Sequence, residues 1–256
     1  MRPAPAGAGV VFVRDDLAFP VRIPVAVGNR IEATARTNLA VSGVGVQMVE
    51  HALSALAGLG VDCCAIHVTA EELPGLDGSA QAFVEAIDAA GIEELGAPVE
   101  PLVVDRVVRL GDETSWIEAG PPRWAGLSVE YDLDYGASPI GRQRLALQVT
   151  PESYREQLAA ARTFLSVDEA AKLQAAGLGL AVAHRDLLVF GADGPVGNCL
   201  RWPDECVRHK LLDLVGDLSL VGRPVHASIR ACRSGHRLNA ALAARLTAID
   251  RERRAA

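Results

Sequence analysis

The sequence predicts an α+β fold of two similar domains, each a β-sheet layered with helices, with the active site in the cleft between them. Three observations carry that expectation. Residues 1–98 run as strands, helix, strand, helix. The two prolines of Gly96-Ala-Pro-Val-Glu-Pro101 then break the pattern. Residues 99–256 take up the same rhythm again. The N-terminal α+β domain is therefore expected over 1–98 and the C-terminal one over 99–256, without a residue-by-residue repeat between them.

In the first part, residues 10–13 and 21–27 read as short strands. Residues 46–59 carry apolar side chains at helical spacing and stop at Gly58 and Gly60. Residues 63–69 return to a strand pattern. After the turn Leu73-Pro-Gly-Leu-Asp-Gly-Ser79, residues 80–90 read as a helix closed by Gly91. In the second part, residues 102–110, 114–119 and 127–133 are extended in character, and 152–162 and 167–176 are helical. Residues 180–190 read as a strand pair or a strand with an irregular turn. Residues 206–220 form a strong helix, 225–230 a strand and 238–248 a closing helix.

Composition bounds the function. Half of the 256 residues are hydrophobic but only 4% are aromatic, so Ala, Val and Leu must fill most of the core. With 32 acidic against 25 basic residues and no long basic run, nucleic acid is not an expected partner. The longest apolar stretches fall far short of the ~20 residues that span a bilayer, so no transmembrane segment is expected. The first residues, Met-Arg-Pro-Ala-Pro-Ala-Gly, carry no apolar signal core, which makes a cytoplasmic location the expectation. Five cysteines without a Cys-x-x-Cys pair argue against a disulfide framework or a thiolate zinc knuckle, and read as buried thiols. Neighbouring Cys63 and Cys64 are expected on opposite faces of one strand.

On the 206–220 helix, His209 and Asp213 are four apart and share a face, a spacing that suits two ligands of one metal. Asp217 continues that face and could orient a ligand or a catalytic histidine. Lys210 lies about 100° round the helix, within reach of the rim. The same pattern also fits a solvated helical stripe with Arg208 and Lys210 as ion partners. Glu50 and His51 sit side by side in an otherwise apolar helical pattern, where two ionisable groups are costly to bury without a partner or a task. A helix end with a satisfied histidine is the plainer reading of that segment. A hydrolytic zinc site needs three protein ligands, an open position for water and an unligated carboxylate to take the water's proton. Arg233-Ser-Gly-His236 ends a strand just before a helix, where His236 could face a cleft and act as cation or general acid, kept basic by a carboxylate such as Asp217. No Gly-x-Ser-x-Gly elbow or phosphate loop is present. His67, His184 and His226 alternate with apolar residues and read as packing or surface groups.

Together these segments resemble the UDP-3-O-acyl-N-acetylglucosamine deacetylase family of lipid A biosynthesis, the LpxC enzymes. The block from Val49-Glu-His-Ala-Leu-Ser-Ala-Leu to Gly60-Val-Asp62 matches the family's V-E-H block, and Leu73 to Ala80 its P-x-x-D-G-S-A turn. Pro139-Ile-Gly-Arg-Gln143, Ala161-Arg-Thr-Phe164, Val207-Arg-His-Lys to Asp217 and Ser234-Gly-His-Arg-Leu-Asn239 complete the series in the family's order. The resemblance covers nearly the whole chain. It implies zinc ligands at His51, His209 and Asp213, a general base at Glu50, and a catalytic histidine at His236 partnered by Asp217. It further implies an oxyanion-holding hydroxyl at Thr163, a substrate-contacting aromatic at Phe164, and a site-lining Lys210. The implied reaction is removal of the acetyl group from the 2-acetamido group of UDP-3-O-acyl-N-acetylglucosamine. Two histidines and one aspartate also suit iron(II).

The chain departs from the family pattern in three places. It opens at the family's Arg2-Pro-Ala-Pro segment without the preceding strands, so either the start lies upstream or this is a shortened relative with an exposed sheet edge. Met48 stands where the family has threonine before V-E-H. Ala181-Val-Ala183 stands for Gly-Gly-Ser beside the acyl passage. These leave open a paralogue that deacetylates a different N-acetyl sugar, and a non-catalytic zinc-binding relative.

Overall fold

A computed structural model of the chain describes residues 1–175, 177 and 186–255. The first part runs β1 (Arg2–Pro3), β2 (Val10–Arg14), β3 (Val21–Pro24), β4 (Arg30–Ile31), β5 (Asn38–Val41), β6 (Val44–Val46), α1 (Glu50–Gly58), β7 (Cys64–Val68) and α2 (Gln81–Ala90). One sheet has the order β1-β7-β2-β3, with β2 and β7 parallel; β4, β5 and β6 make a small antiparallel sheet. The second part runs β8 (Leu102–Val103), β9 (Val108–Gly111), β10 (Trp116–Gly120), β11 (Leu127–Asp134), β12 (Arg142–Val149), α3 (Pro151–Gln157), β13 (Phe164–Ser166), α4 (Val167–Ala175), β14 (Leu188–Gly191), β15 (Gly194–Pro195), α5 (Glu205–Leu218), β16 (Val225–Cys232) and α6 (His236–Ala255). Its main sheet has the order β12-β11-β16-β10-β9, with β8 paired to the start of β16, and β13-β14-β15 form a third small sheet. The fold is mixed α+β, as expected.

Several boundaries differ from the sequence reading, each for a tertiary reason. The 46–59 helix begins only at Glu50. Val46 belongs to a strand, and Met48 takes a left-handed backbone (φ +58°), its N–H donating to Asn38 Oδ1 at 3.2 Å while the Val49 N–H donates to the Thr37 carbonyl. Residues 102–110 split into two short strands. β12 was not anticipated: its apolar Leu145, Leu147 and Val149 alternate with Arg and Gln because it is the outer strand of its sheet. α3 starts on a Thr150–Ser153 capping box with Pro151 at its first position, but ends at Gln157 rather than 162. The following Arg162 is held by Glu205, and Thr163 donates its N–H to the Gly78 carbonyl, which draws residues 162–166 out of the helix. α6 begins at His236 and runs to Ala255, longer than expected at both ends.

Residues 176 and 180–185 of the expected elements lie outside the described residues, as do Ala181, Val182, Ala183 and His184. The cysteines correct another expectation: Cys64 and Cys206 are buried, but Cys63 and Cys232 are half-buried and Cys199 is exposed. No helix among the described residues is long and apolar enough to cross a membrane.

α1 and α5 are the central pair. Both are buried almost all round, α1 by mostly apolar side chains and α5 together with its ionisable Glu205, Arg208, His209, Asp213 and Asp217. Ser54 donates to the Leu212 carbonyl at 2.7 Å and receives the Tyr154 hydroxyl at 2.8 Å, which satisfies polar groups inside the helix contact. The closest approach is at Gly216, where a Cβ would lie 2.2 Å from the Glu50 carbonyl oxygen. Gly216→Ala therefore sets a local gain of ~1 kcal/mol in helix propensity against an overpacking cost of about 1–3 kcal/mol on backbone that cannot rotate away. A lower thermal midpoint with reduced activity is expected, because the displaced residue is Glu50. An unchanged midpoint would show that the helices separate without strain.

Candidate active site

The spacing of α5 is realised as anticipated, but the stripe it makes is not solvated. His209, Asp213 and Asp217 are buried at 3%, 2% and 0% exposure, so the exposed-stripe reading is excluded. Arg208 turns instead to Asp204 and Gln157. α1 brings His51 and Glu50 against the same face. The ligand atoms of His51, His209 and Asp213 lie within 4.8 Å of one another, the one such trio found among the described residues. Asp213 Oδ1 is 3.3 Å from His209 Nε2 and 3.7 Å from His51 Nε2. It is buried and has no hydrogen-bond partner among the described residues. A buried carboxylate oxygen left without a donor is costly, and a cation between it and the two imidazoles removes that cost. The residues present thus fit a divalent metal.

Their protonation fits as well. The His209 Nδ1 lies 3.1 Å from the Ala161 carbonyl, a partner that takes the ring's proton on that side and leaves Nε2 as the free lone pair. Burial pushes its imidazole down to about 3, against the pull of Asp213, so it is neutral near pH 7. Burial alone would raise the Asp213 carboxyl, yet the facing His209, Lys210 and His236 outweigh it and hold it well below the carboxylate range. Lys210 Nζ sits 2.6 Å from Asp213 Oδ2; burial opposes its charge, but Asp213 prevails and holds the ammonium above its ordinary value. A neutral imidazole and an ionised carboxylate are the forms that bind metal.

Two further titratable side chains, Glu50 and His236, flank the trio. Glu50 is 5% exposed, and burial pushes its carboxyl up against the pull of His236 and His51. Its Oε2 accepts the Thr37 backbone N–H at 3.0 Å. His236, at the first turn of α6, contacts Asp217 Oδ2 through Nδ1 at 2.9 Å and lies 3.9 Å from Asp213 Oδ2 through Nε2. Burial would lower its imidazole, but Asp217, Asp213 and Glu50 hold it up at about 9. The Thr163 hydroxyl is 3.2 Å from His209 Nε2 and 3.0 Å from the Gly78 carbonyl. The Phe164 ring meets His209 and Tyr135 edge-on.

Every one of these side chains except Asp217, which stands behind His236, lines a cavity of about 610 Å³. Met48 lines it too, as do Arg233 and Arg237. Sequence reasoning did not reach Thr37 or the role of Asn239, whose side-chain amide donates to Asp217 Oδ2 at 2.9 Å. Asn239 is three residues after His236 on a helix and so shares its face, a signal that was available. Of the remaining histidines, His67 pairs with Asp15 and His226 is half-buried on β16.

The arrangement can hold a divalent cation beside a paired acid and base, the donor set of a metal-assisted hydrolase. Residues 1–248 match the family model described as LpxC, UDP-3-O-acyl N-acetylglycosamine deacetylase. The chain belongs to that family. It is 37% identical over 245 residues to the UDP-3-O-acyl-N-acetylglucosamine deacetylase of Myxococcus xanthus (strain DK1622), covering 93% of this chain and 76% of that one. It is also 37% identical over 253 residues to the enzyme of the same description from Anaeromyxobacter dehalogenans (strain 2CP-C), covering 97% and 80%.

Proposed function

We propose that this chain is a metal-dependent N-deacetylase that removes the acetyl group of UDP-3-O-acyl-N-acetylglucosamine, a cytoplasmic step of lipid A biosynthesis. The observation that carries the reading is the partnerless Asp213 Oδ1 facing two imidazole nitrogens beside Glu50 and His236. Family membership supports the reaction class. Zinc(II), or iron(II), held by His51, His209 and Asp213 would supply a Lewis acid for the acetamide carbonyl and a water of lowered pKa. Glu50 takes the proton of the attacking water as the new C–O bond forms. His236 gives its proton to the amine nitrogen as the C–N bond breaks, and acetate and a free amine leave. Thr163 donates to the oxygen on which charge develops, Lys210 keeps Asp213 ionised and meets the substrate, and Phe164 supplies an apolar wall. We also assign a division into two α+β units near residue 98, with the site between them. Each sheet draws its strands from one side of that point, while the site residues come from both.

The acid–base pair sets a pH dependence. Activity needs Glu50 ionised and His236 protonated, so it rises as pH passes the Glu50 value and falls as pH passes that of His236. Asp217→Asn removes the largest group holding His236 up, so the alkaline limb is expected to move to lower pH. An alkaline limb that stays in place would assign it to another group.

The substrate is tested by following acetate release from UDP-3-O-acyl-N-acetylglucosamine and from its unacylated analogue. Preference for the acylated sugar is expected. Equal or reversed preference would keep the chemistry and remove this substrate, and no release from either by metal-loaded protein would remove the reading.

A further inference from the structure

Thr37 stands just before β5, fully buried, and touches both halves of the acid–base machinery. Its backbone N–H donates to Glu50 Oε2 at 3.0 Å, and its hydroxyl donates to Asp217 Oδ1 at 2.6 Å, across 180 residues of sequence. Its own carbonyl accepts the Val49 N–H at 3.1 Å, so the residue is pinned from both sides of its peptide. Asp217 has three partners: Thr37 on Oδ1, and His236 Nδ1 and Asn239 Nδ2 on Oδ2, both at 2.9 Å. The other donors crowd one oxygen, so the Thr37 hydroxyl alone fixes the rotation of the carboxylate. Without it, a buried oxygen lacks a donor, and the carboxylate can turn to share its partners, taking the His236 ring with it.

We propose that Thr37 is a positioning residue which holds the base Glu50 and the histidine His236 in one frame, through its peptide N–H on the first and its hydroxyl on the partner of the second. The proposal rests on the roles given above to Glu50 and His236. Threonine suits the task because its β-branch restricts χ1, and a short hydroxyl–carboxylate bond is charge-assisted. Valine keeps the shape and the peptide N–H while deleting only the hydroxyl.

Thr37→Val is expected to lower kcat by about 10–100-fold with KM and metal content close to wild type, and Thr37→Ser to keep most of the activity. If the hydroxyl acts through Asp217 and His236, its loss costs little once His236 is gone. In a His236→Ala background, Thr37→Val should then lower kcat by no more than about twofold. Thr37→Ala, which leaves space rather than a misplaced methyl, makes the same comparison if the valine variant does not fold. Four outcomes overturn the proposal: wild-type kcat in the valine variant, equal losses in the serine and valine variants, the full loss persisting without His236, or loss of bound metal. If instead His236→Ala and Glu50→Gln are as active as wild type, the proposed mechanism fails independently of Thr37.

Discussion

Glu50→Gln is expected to lose about 10²–10⁴ in kcat while binding as much metal as the wild type. The amide has the shape of the carboxyl, and its oxygen can still accept the Thr37 N–H that Glu50 receives at 3.0 Å. What it lacks is a basic oxygen for the proton of the attacking water. Stability should not fall, since a side chain 5% exposed exchanges a costly buried charge for a neutral amide. The measurements are kcat for acetate release, metal content by elemental analysis, and the thermal midpoint. Loss of metal would make Glu50 a ligand instead. Retained activity would end its role as base and assign the proton transfer to another group.

Asp213→Asn carries the second large effect. The substitution removes the anionic member of the proposed ligand set and strips Lys210 of its partner at 2.6 Å. A Lewis acid contributes several kcal/mol to a charged transition state, so kcat/KM should fall by about 10³ or more, with metal lost on dialysis. The thermal midpoint should fall as well, because a buried ammonium without its carboxylate is destabilising. Full metal content in this variant would contradict the assignment of Asp213 as a ligand.

The site was readable in sequence wherever its geometry follows a local period. His209, Asp213 and Asp217 share a face because an α-helix returns every 3.6 residues, and Glu50-His51 stood out as two ionisable groups in an apolar helix. Neither pattern could bring α1 to α5 by itself; the order of several segments, shared with one family, did that. Thr37 had no such signal. It is one of several polar residues before a short strand, and its meaning comes from a helix 180 residues on. The fold shows the same divide. The capping box at Thr150 and the glycine after α2 mark their ends locally. The start of α1 is set instead by Thr37 and Asn38 holding residues 48 and 49, and β12 hides its strand period among arginines that suit an outer edge.

The central claim is that acetyl removal depends on a metal held by His51, His209 and Asp213. Its most direct test strips the purified chain with a chelator and follows acetate release from UDP-3-O-acyl-N-acetylglucosamine as zinc(II) is returned. No turnover is expected in the stripped protein, with full recovery at about one equivalent and no recovery in Asp213→Asn. Undiminished turnover by the stripped chain would contradict the claim.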